Sequence, residues 1–334
     1  MLKKKYKDID YLYASARVKM MERQLLNSAR MDRMVTARSP LEAAQVLTEC
    51  GYPELMELTP EILDQTLDLE RQKVFSTLYA IVPNHAIIDV FKLKYDYHNV
   101  KVLLKSTAVG EDANHLLMDI GRVPAKKLAN GILQSKLEDT PPILQAAVQN
   151  ARKTLRTTGD PQLSDLVLDR AYFEDMTDLA KQTGSRFLEG YVRLSIDAAN
   201  LRSAVRALRM QKSPEFLRRI LFPGGDISRN RIIMALSSGS ALDTLYSVSP
   251  LKDAAQESIS ARKTGSLTRF EKLCDNAVSR YLQSAKYNSI SEAPVICYIG
   301  AKESELTAVR IILTGLMAGI TPEVLQERLR DVYA

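Results

Sequence analysis

The chain has 334 residues, of which 46% are hydrophobic and 26% charged, with 14 glycines, 13 prolines and no tryptophan. This length exceeds what one ordinary hydrophobic core organises, so we expect two or three domains. The composition excludes general disorder, and its many straight-chain residues favour helices over sheets because such side chains lose little rotamer freedom in a helix.

The net charge is +6 at pH 7. Such a balance is typical of a protein that meets an acidic partner, anionic lipid or nucleic acid, and equally of a mildly basic solvated surface. The basic N-terminus is followed by an amphipathic stretch and no apolar run reaches 18 residues, so we expect neither a targeting segment nor a membrane span. The three cysteines are odd in number and lack CxxC spacing, which predicts unpaired thiols in a reducing compartment.

Helix starts are marked by proline in chain order. Seven prolines follow a side chain able to cap a helix, since a hydroxyl or carboxylate can accept from a first-turn N–H and proline lacks only an N–H that had no partner. These pairs are Ser39-Pro40, Thr59-Pro60, Thr140-Pro141, Asp160-Pro161, Ser213-Pro214, Ser249-Pro250 and Thr321-Pro322. With no convincing period-2 strand, the sequence predicts an all-α fold.

One short pattern occurs three times: an acid, two variable residues, a small or amide residue, an aliphatic residue and a base. The three segments are Asp96-Tyr97-His98-Asn99-Val100-Lys101, Asp197-Ala198-Ala199-Asn200-Leu201-Arg202 and Glu305-Leu306-Thr307-Ala308-Val309-Arg310. Aliphatic residues at steps of three and four follow each acid, which places each set on one helix face.

Two flanking features keep the same order around each acid. Upstream lie Glu70-Arg71, Asp169-Arg170 and Asp275-Asn276, and downstream lie Gly121, Gly225 and Gly319, each predicted to end a helix. The third copy is shorter between its acid and its glycine.

Repetition at this period is typical of stacked or ring-like helical modules. We predict three modules, at residues 1–135, 136–238 and 239–334, with linkers near 136–142 and 237–240, and leave open that the first and last helices pack together across modules.

The sequence predicts no catalytic, cofactor-binding or metal-ligating residue. The three histidines (His85, His98 and His115) share no metal-binding spacing, and neither a P-loop nor a GxGxxG motif is present. The repeated acid is interpreted as a satisfied polar group that fixes a helix against its neighbour, with a general base as the alternative. We therefore predict a non-catalytic protein without a cofactor.

A basic stripe runs along one predicted helix at Arg202, Arg206, Arg209 and Lys212. It is interpreted as a solvated face, or as a contact for acidic protein or lipid headgroups. A nucleic-acid site would usually add aromatic residues or a helix-turn-helix arrangement, and neither is clear.

Several longer segments together resemble one protein family. They are Thr158–Pro161 with Asp165–Phe173, Ser249–Ala254, Phe270–Asn276 with Tyr281-Leu282, Ala301–Glu303, Val309–Leu313 and Glu327–Tyr333. In order and spacing they are similar to the C subunit of the V/A-type rotary ATPases, which is related to the d subunit of the eukaryotic V-ATPases. The chain departs from that family at Ser289-Ile290-Ser291, where an aromatic residue and a glycine are frequent.

The resemblance implies three similar helical domains arranged as a pseudo-threefold funnel. It implies a non-catalytic central-stalk subunit, peripheral on the cytoplasmic side of the membrane, that links central shaft subunits of the D and F types to the proteolipid rotor ring and transmits torque. No nucleic acid is expected as a partner. We place the ring contacts near Gly121, Gly225 and Gly319. The alternative is an all-helical scaffold or adaptor that binds acidic peptides or RNA.

Overall fold

The structure is a computed structural model. It describes residues 6–237, 242–263, 266–288 and 290–331. Within these ranges the regular structure is entirely helical and contains no strand, so the all-α prediction is confirmed. Most of the predicted linker at 237–240 lies outside the described residues, as do Ser289, Val332 and Tyr333 of the family resemblance.

The chain divides into two compact units, and the smaller one is Asn84–Val192. It contains four complete helices and the beginning of a fifth. These are α5 (Ala86–Val109), α6 (Ala125–Gln134), α7 (Pro142–Thr158), α8 (Pro161–Thr183) and the first turns of α9 (Arg186–Arg209). Helix α8 packs along both α5 and α7, and forms with them the centre of this unit.

The larger unit joins Met1–Pro83 with Arg193–Ala334. Its helices from the first segment are α1 (Leu12–Met21), α2 (Ser28–Val35), α3 (Pro40–Gln45) and α4 (Pro60–Ile81). Those after α9 are α10 (Pro214–Ile220), α11 (Arg229–Ser237), α12 (Leu242–Leu245), α13 (Lys252–Lys263), α14 (Thr268–Gln283), α15 (Ala293–Met317) and α16 (Pro322–Arg328). Short 3-10 turns lie at Asp8–Tyr11, Glu22–Gln24, Val46–Cys50 and Asn114–Leu116, the last in the smaller unit.

Helix α15 is the centre of the larger unit. It packs against α1, α2, α3, α4, α14 and α16. One hydrophobic core joins Leu26, Met34 and Leu67 from the beginning of the chain to Val309 and Leu325 near its end. The first and last helices therefore pack together, as the sequence allowed. Burial of apolar area at about 25 cal/mol per Å² is the main force that holds them.

Most of the proline-marked helix starts are confirmed. Proline is the first residue of α3, α4, α8, α10 and α16, and in the first four of these the preceding side chain accepts a first-turn N–H. The other two starts are wrong as helix bounds, because α7 begins at Pro142 and α13 at Lys252. Ser249 nevertheless accepts at Oγ from the N–H of Leu251 at 3.2 Å, as expected of a capping side chain. Thr140 instead donates its hydroxyl hydrogen bond to the carbonyl oxygen of Leu137, so it is a turn residue and not a cap.

The three predicted modules are not the same division as the two compact units, whose boundary falls inside α9. The boundary expected between residues 238 and 239 lies outside the described part of the chain. The division at 1–135, 136–238 and 239–334 accordingly stays a prediction.

Candidate functional site

The acid of the first repeat is buried and holds a loop against its own helix. Asp96 lies on α5, and its Oδ1 accepts a hydrogen bond from the backbone N–H of Val123 at 3.1 Å. One helical turn further, Asn99 donates from Nδ2 to the carbonyl oxygen of Met118 and accepts at Oδ1 from the N–H of the same residue, both at 2.8 Å. One turn of α5 thus supplies partners to backbone groups at both ends of the loop 118–123, which would otherwise lose hydrogen bonds on burial.

The second repeat makes the same contacts. Asp197 on α9 accepts from the N–H of Ile227 at 3.1 Å, and Asn200 bonds both backbone groups of Phe222 at 2.8 and 2.7 Å. The spacing is the same in both copies. The N–H that the acid accepts from comes five residues after the residue that the asparagine bonds, and two residues before the first residue of the next helix. Asp197 also accepts from the N–H of Asp226 at 3.0 Å. The repeated acid is therefore a satisfied polar group, as interpreted from the sequence, but it fixes a loop and not a neighbouring helix.

The repeated glycines belong to the same arrangement. A Cβ atom on Gly121 would lie within 3.0 Å of Oδ1 of Asp96, and one on Gly225 would meet Oδ1 of Asp197 equally closely. The expectation that these two glycines end helices is wrong, since α5 ends at Val109 and α9 ends at Arg209. They are glycines because a buried carboxylate from another segment fills the space beside them.

The acid of the third repeat takes its donor from the opposite end of the sequence. Glu305 on α15 accepts at Oε2 from the N–H of Leu26 at 2.6 Å and at Oε1 from the hydroxyl of Tyr52 at 2.7 Å. Leu26 lies two residues before α2, as Val123 and Ile227 lie two residues before α6 and α11. The loop that follows the acid in the first two copies is here supplied by the beginning of the chain, which accounts for the short third copy. In that copy the predicted helix-ending glycine is confirmed, because Gly319 follows α15 with φ of +70°.

Burial is the largest influence on the pKa of the first two acids, Asp96 and Asp197. It raises the pKa of Asp96, although the N–H of Val123 and the charge of Arg122 oppose the shift. It raises the pKa of Asp197 to about 6 against the two backbone N–H groups that favour the ionised form. A buried carboxylate is costly to ionise unless it gains such partners, so these groups depend on the loops they hold.

The half-buried Arg122 and the buried Lys302 complete the networks, and the sequence did not single out either role. Arg122 lies between two carboxylates, with Nε 3.0 Å from Asp96 and Nη2 2.8 Å from Asp175. Lys302 lies between Glu305 at 2.7 Å and Glu70 at 2.8 Å. Burial alone would lower the pKa of Lys302, but the two carboxylates outweigh it and raise the pKa. A signal for Lys302 existed in the sequence, because it precedes the repeated acid by three residues on one helix face.

The base that ends each repeated segment pairs with an acid of another repeat. The pairs are Lys101 with Asp169, Arg202 with Asp275, and Arg310 with Asp64. One helical turn beyond the first two pairs there are two more ion pairs, Lys105 with Asp165 and Arg206 with Glu271. The direction of pairing is from the first repeat to the second, from the second to the third, and from the third back to the first.

These pairs change the interpretation of the basic stripe on α9. Arg202 and Arg206 lie against α14 and form ion pairs there, so half of the stripe belongs to the packing of the larger unit. The side chain of Arg202 is only 23% exposed. Packing therefore takes up Arg202, whereas the Arg206 side chain is 57% exposed and Arg209 and Lys212 are exposed as well. Contact of this exposed part with an acidic partner stays a prediction.

The described residues contain no group of three His, Cys, Asp or Glu side chains placed to hold a metal ion. His98 contacts the carbonyl oxygen of Leu116 at 3.1 Å. Cys50, Cys274 and Cys297 are buried, Cys50 and Cys274 form no disulfide, and burial raises the pKa of Cys50 to about 11. Within the described residues, every helix is too short or too polar to span a bilayer.

Fold and site together define an all-α repeat protein in which a buried acid on a long helix fastens the loop leading to a following helix. A family model described as the ATP synthase (C/AC39) subunit matches residues 14–328. The chain belongs to this family, a non-catalytic subunit of the V/A-type rotary ATPases, and the predicted resemblance is confirmed.

Curated relatives agree with the family along nearly the whole chain. The C subunit of the V-type sodium ATPase of Enterococcus hirae is 22% identical over 313 residues, which cover 93% of this chain and 95% of that protein. The C subunit of the A-type ATP synthase of Methanocaldococcus jannaschii is 25% identical over 349 residues, covering 96% and 86%. The protein of the same name from Thermococcus kodakarensis is 22% identical over 346 residues, covering 98% and 92%.

Proposed function

We propose that this chain is the socket that joins the central shaft of its rotary ATPase to the proteolipid rotor ring and transmits torque between them. Its partners in this proposal are shaft subunits of the D and F types and the ring, and it lies peripherally on the cytoplasmic side of the membrane. The observation that carries the proposal is the family match over residues 14–328. Neither nucleic acid nor a cofactor has a part in it.

The order of ion pairs between repeats supports a pseudo-threefold arrangement of the proposed socket. A row of repeats leaves its first and last members without a common contact. Here Arg310 of the third repeat pairs with Asp64 of the first, and Glu305 accepts from the N–H of Leu26. Contacts that return from the last repeat to the first favour a closed set of three over an extended adaptor.

Torque transmission requires that helix and loop move as one body. In each of the first two repeats, the acid and the amide bond the following loop at its two ends. They bond three backbone groups in the first repeat and four in the second. A satisfied polar network in a low-dielectric interior permits few alternative geometries. The contacts of the repeated acids thus support a role in stiffening the protein. A general base would not need to be bonded to a loop in this way.

The proposed ring contact is best placed at the second loop. Asp226 is exposed, and its ion pair among the described residues is with Arg193, at 2.8 Å, whereas Arg122 in the first loop is enclosed between two carboxylates. Reversing the charge of Arg122 would disrupt the interior and could not isolate a contact. We place ring contacts at two exposed positions, one around Asp226 and one around Gly319.

The test is reconstitution of the full chain with a purified shaft heterodimer and, separately, with the detergent-solubilised ring. The proposal expects co-purification with both, and failure with both would overturn it. Asp226→Lys is expected to weaken attachment to the ring while leaving the shaft bound. Asp32→Lys, which makes the same charge change at an exposed position on α2, serves as the matched control. Equal ring binding by both variants would contradict the placement of the contact.

A further inference from the structure

A basic groove in the smaller unit has no part in the contacts described above. It lies between α7 and the end of α6 and has a volume of about 390 Å³. Its polar lining comprises Ser135, Gln149, Arg152, Lys153, Arg156 and Thr157. Four of these residues lie on α7 at steps of three and four from Gln149 to Arg156, so they share one helix face.

Arg152, one of the lining residues, is held in place by two hydrogen bonds to the end of α6. It donates from Nη1 to Oγ of Ser135 at 2.7 Å and from Nη2 to the carbonyl oxygen of Ile132. These contacts use one edge of the guanidinium and fix its plane relative to α6. A guanidinium fixed in this way binds a planar or tetrahedral oxyanion at lower entropic cost than a free one.

Ser135 has a backbone conformation that glycine would adopt more easily. It ends α6 with φ of +58°, in the left-handed region where a side chain costs about 1 kcal/mol. Other helices of this unit end with glycine in that position, as α5 does with Gly110 and α7 with Gly159. A glycine at 135 would leave Arg152 without its hydroxyl acceptor, so the strained residue has a use at the groove.

The groove holds positive charge without compensation. Among the residues that the structure describes, no carboxylate lies within ion-pair distance of Arg152, Lys153 or Arg156. Burial, and then the charge of Arg156, lowers the pKa of Arg152. Like charges one turn apart on a helix destabilise it, and folding alone supplies no reason for three of them around a concave surface.

We propose that this groove binds a phosphate group. One guanidinium suffices for the two oxygens of a carboxylate, whereas two guanidiniums, an ammonium, the hydroxyl of Ser135 and an amide offer donors to three or more oxygens carrying more than one charge. The hydroxyl of Thr157 is not counted, because it donates to the carbonyl oxygen of Lys153 at 2.9 Å. The volume lies in the lower part of the range for small-ligand sites. The phosphate can belong to a soluble ion or ester or to an anionic lipid headgroup, and the site is independent of the socket proposed above.

The first experiment is calorimetric titration of the full chain with inorganic phosphate and with pyrophosphate, at constant ionic strength set by chloride. Saturable binding is expected for the wild-type chain. Arg156→Gln removes one exposed donor and should weaken binding about tenfold or more, because a charge-assisted hydrogen bond is lost. Lys126→Gln combined with Lys181→Gln removes two exposed charges of the same unit outside the groove and should bind as wild type does.

Ser135→Gly separates geometry from charge. It relieves the left-handed strain, so the variant should fold at least as well as wild type, yet it should bind phosphate more weakly because Arg152 loses its anchor. The proposal is overturned if no binding saturates, or if the Lys126/Lys181 control loses as much affinity as Arg156→Gln.

The second experiment identifies the source of the phosphate. Phosphatidylcholine vesicles with and without phosphatidic acid are sedimented with wild type and with Arg156→Gln. Binding that requires phosphatidic acid and falls in the variant supports the groove and assigns the lipid headgroup. Titration in solution without vesicle binding supports the groove and assigns a soluble phosphate.

Discussion

The carboxylate of Asp96 occupies the space that a Cβ atom on Gly121 would need, although 25 residues separate the two in sequence. The same relationship recurs between Asp197 and Gly225. Acid and glycine therefore form one structural unit, in which the absent side chain permits the acid to reach the backbone N–H two residues further along. Four measurements can test this unit and its equivalents.

Gly121→Ala should destabilise the protein by about 2–3 kcal/mol, since the added methyl group displaces a carboxylate held by other bonds. The measurement is chemical denaturation of the purified chain. Gly184→Ala is the control in the same unit, because it carries the strain of a left-handed backbone (φ of +72°) but meets no atom within 4 Å. If Gly121→Ala cost no more than this control, the close approach of Asp96 would not constrain position 121.

Asn99→Ala and Asn200→Ala should each cost about 2–4 kcal/mol. Each substitution leaves one N–H and one C=O of a loop residue without their partner, and each unsatisfied buried group costs about 1–3 kcal/mol. Asn150→Ala, at an exposed position of α7, should change stability by about 0.5 kcal/mol or less. Hydrogen exchange at the N–H of Met118 and Phe222 gives an independent measurement, and unchanged exchange there would count against the contacts.

The stability of the chain should carry a pH dependence that Asp197→Asn removes. The folded-state pKa of about 6 lies above the ordinary value of 3.8, so the folded chain binds more protons between these values. The contribution of Asp197 is complete below pH 4 and is lost as the pH rises towards 6, by up to about 3 kcal/mol. The measurement compares the free energy of unfolding of wild type and variant from pH 4 to 7. If the wild type instead gained stability relative to Asp197→Asn as the pH rose, the backbone N–H groups would outweigh burial.

Lys302→Met should destabilise the chain by about 3–5 kcal/mol, because it leaves Glu305 buried without its cation and Glu70 with only the exposed Lys73. Replacing both acids by glutamine in the same variant should restore part of that loss. Thermal denaturation of the single and triple variants tests the coupling. As a control, Lys105→Met removes one cation from a surface pair with Asp165, which should cost about 1 kcal/mol or less. If Lys302→Met cost no more than this, the buried network would not stabilise the fold.

Much of the fold could be predicted from local patterns. Proline after a side chain able to cap marked five helix starts, in four of which the cap forms, because a cap and its N–H lie within one turn of each other. The pattern around Asp96, Asp197 and Glu305 could be recognised because each copy spans only six residues. The family resemblance likewise rested on short segments. The Arg152 groove had a local signal too, a basic set on one face of α7, which inspection of the strongest charge run passed over.

Tertiary structure decided what the repeated acids hold. The partner of Glu305 is the N–H of Leu26, 279 residues away, and a backbone donor has no identity in the sequence that could reveal it. Gly121 was expected to end a helix because glycine usually serves that purpose, yet a carboxylate from α5 sets its requirement. The sequence by itself determined the helices and the spacing of the acids, since both depend on neighbours within a few turns. Only the packed chain determined which loop each acid fastens, because that depends on which segments burial brings together.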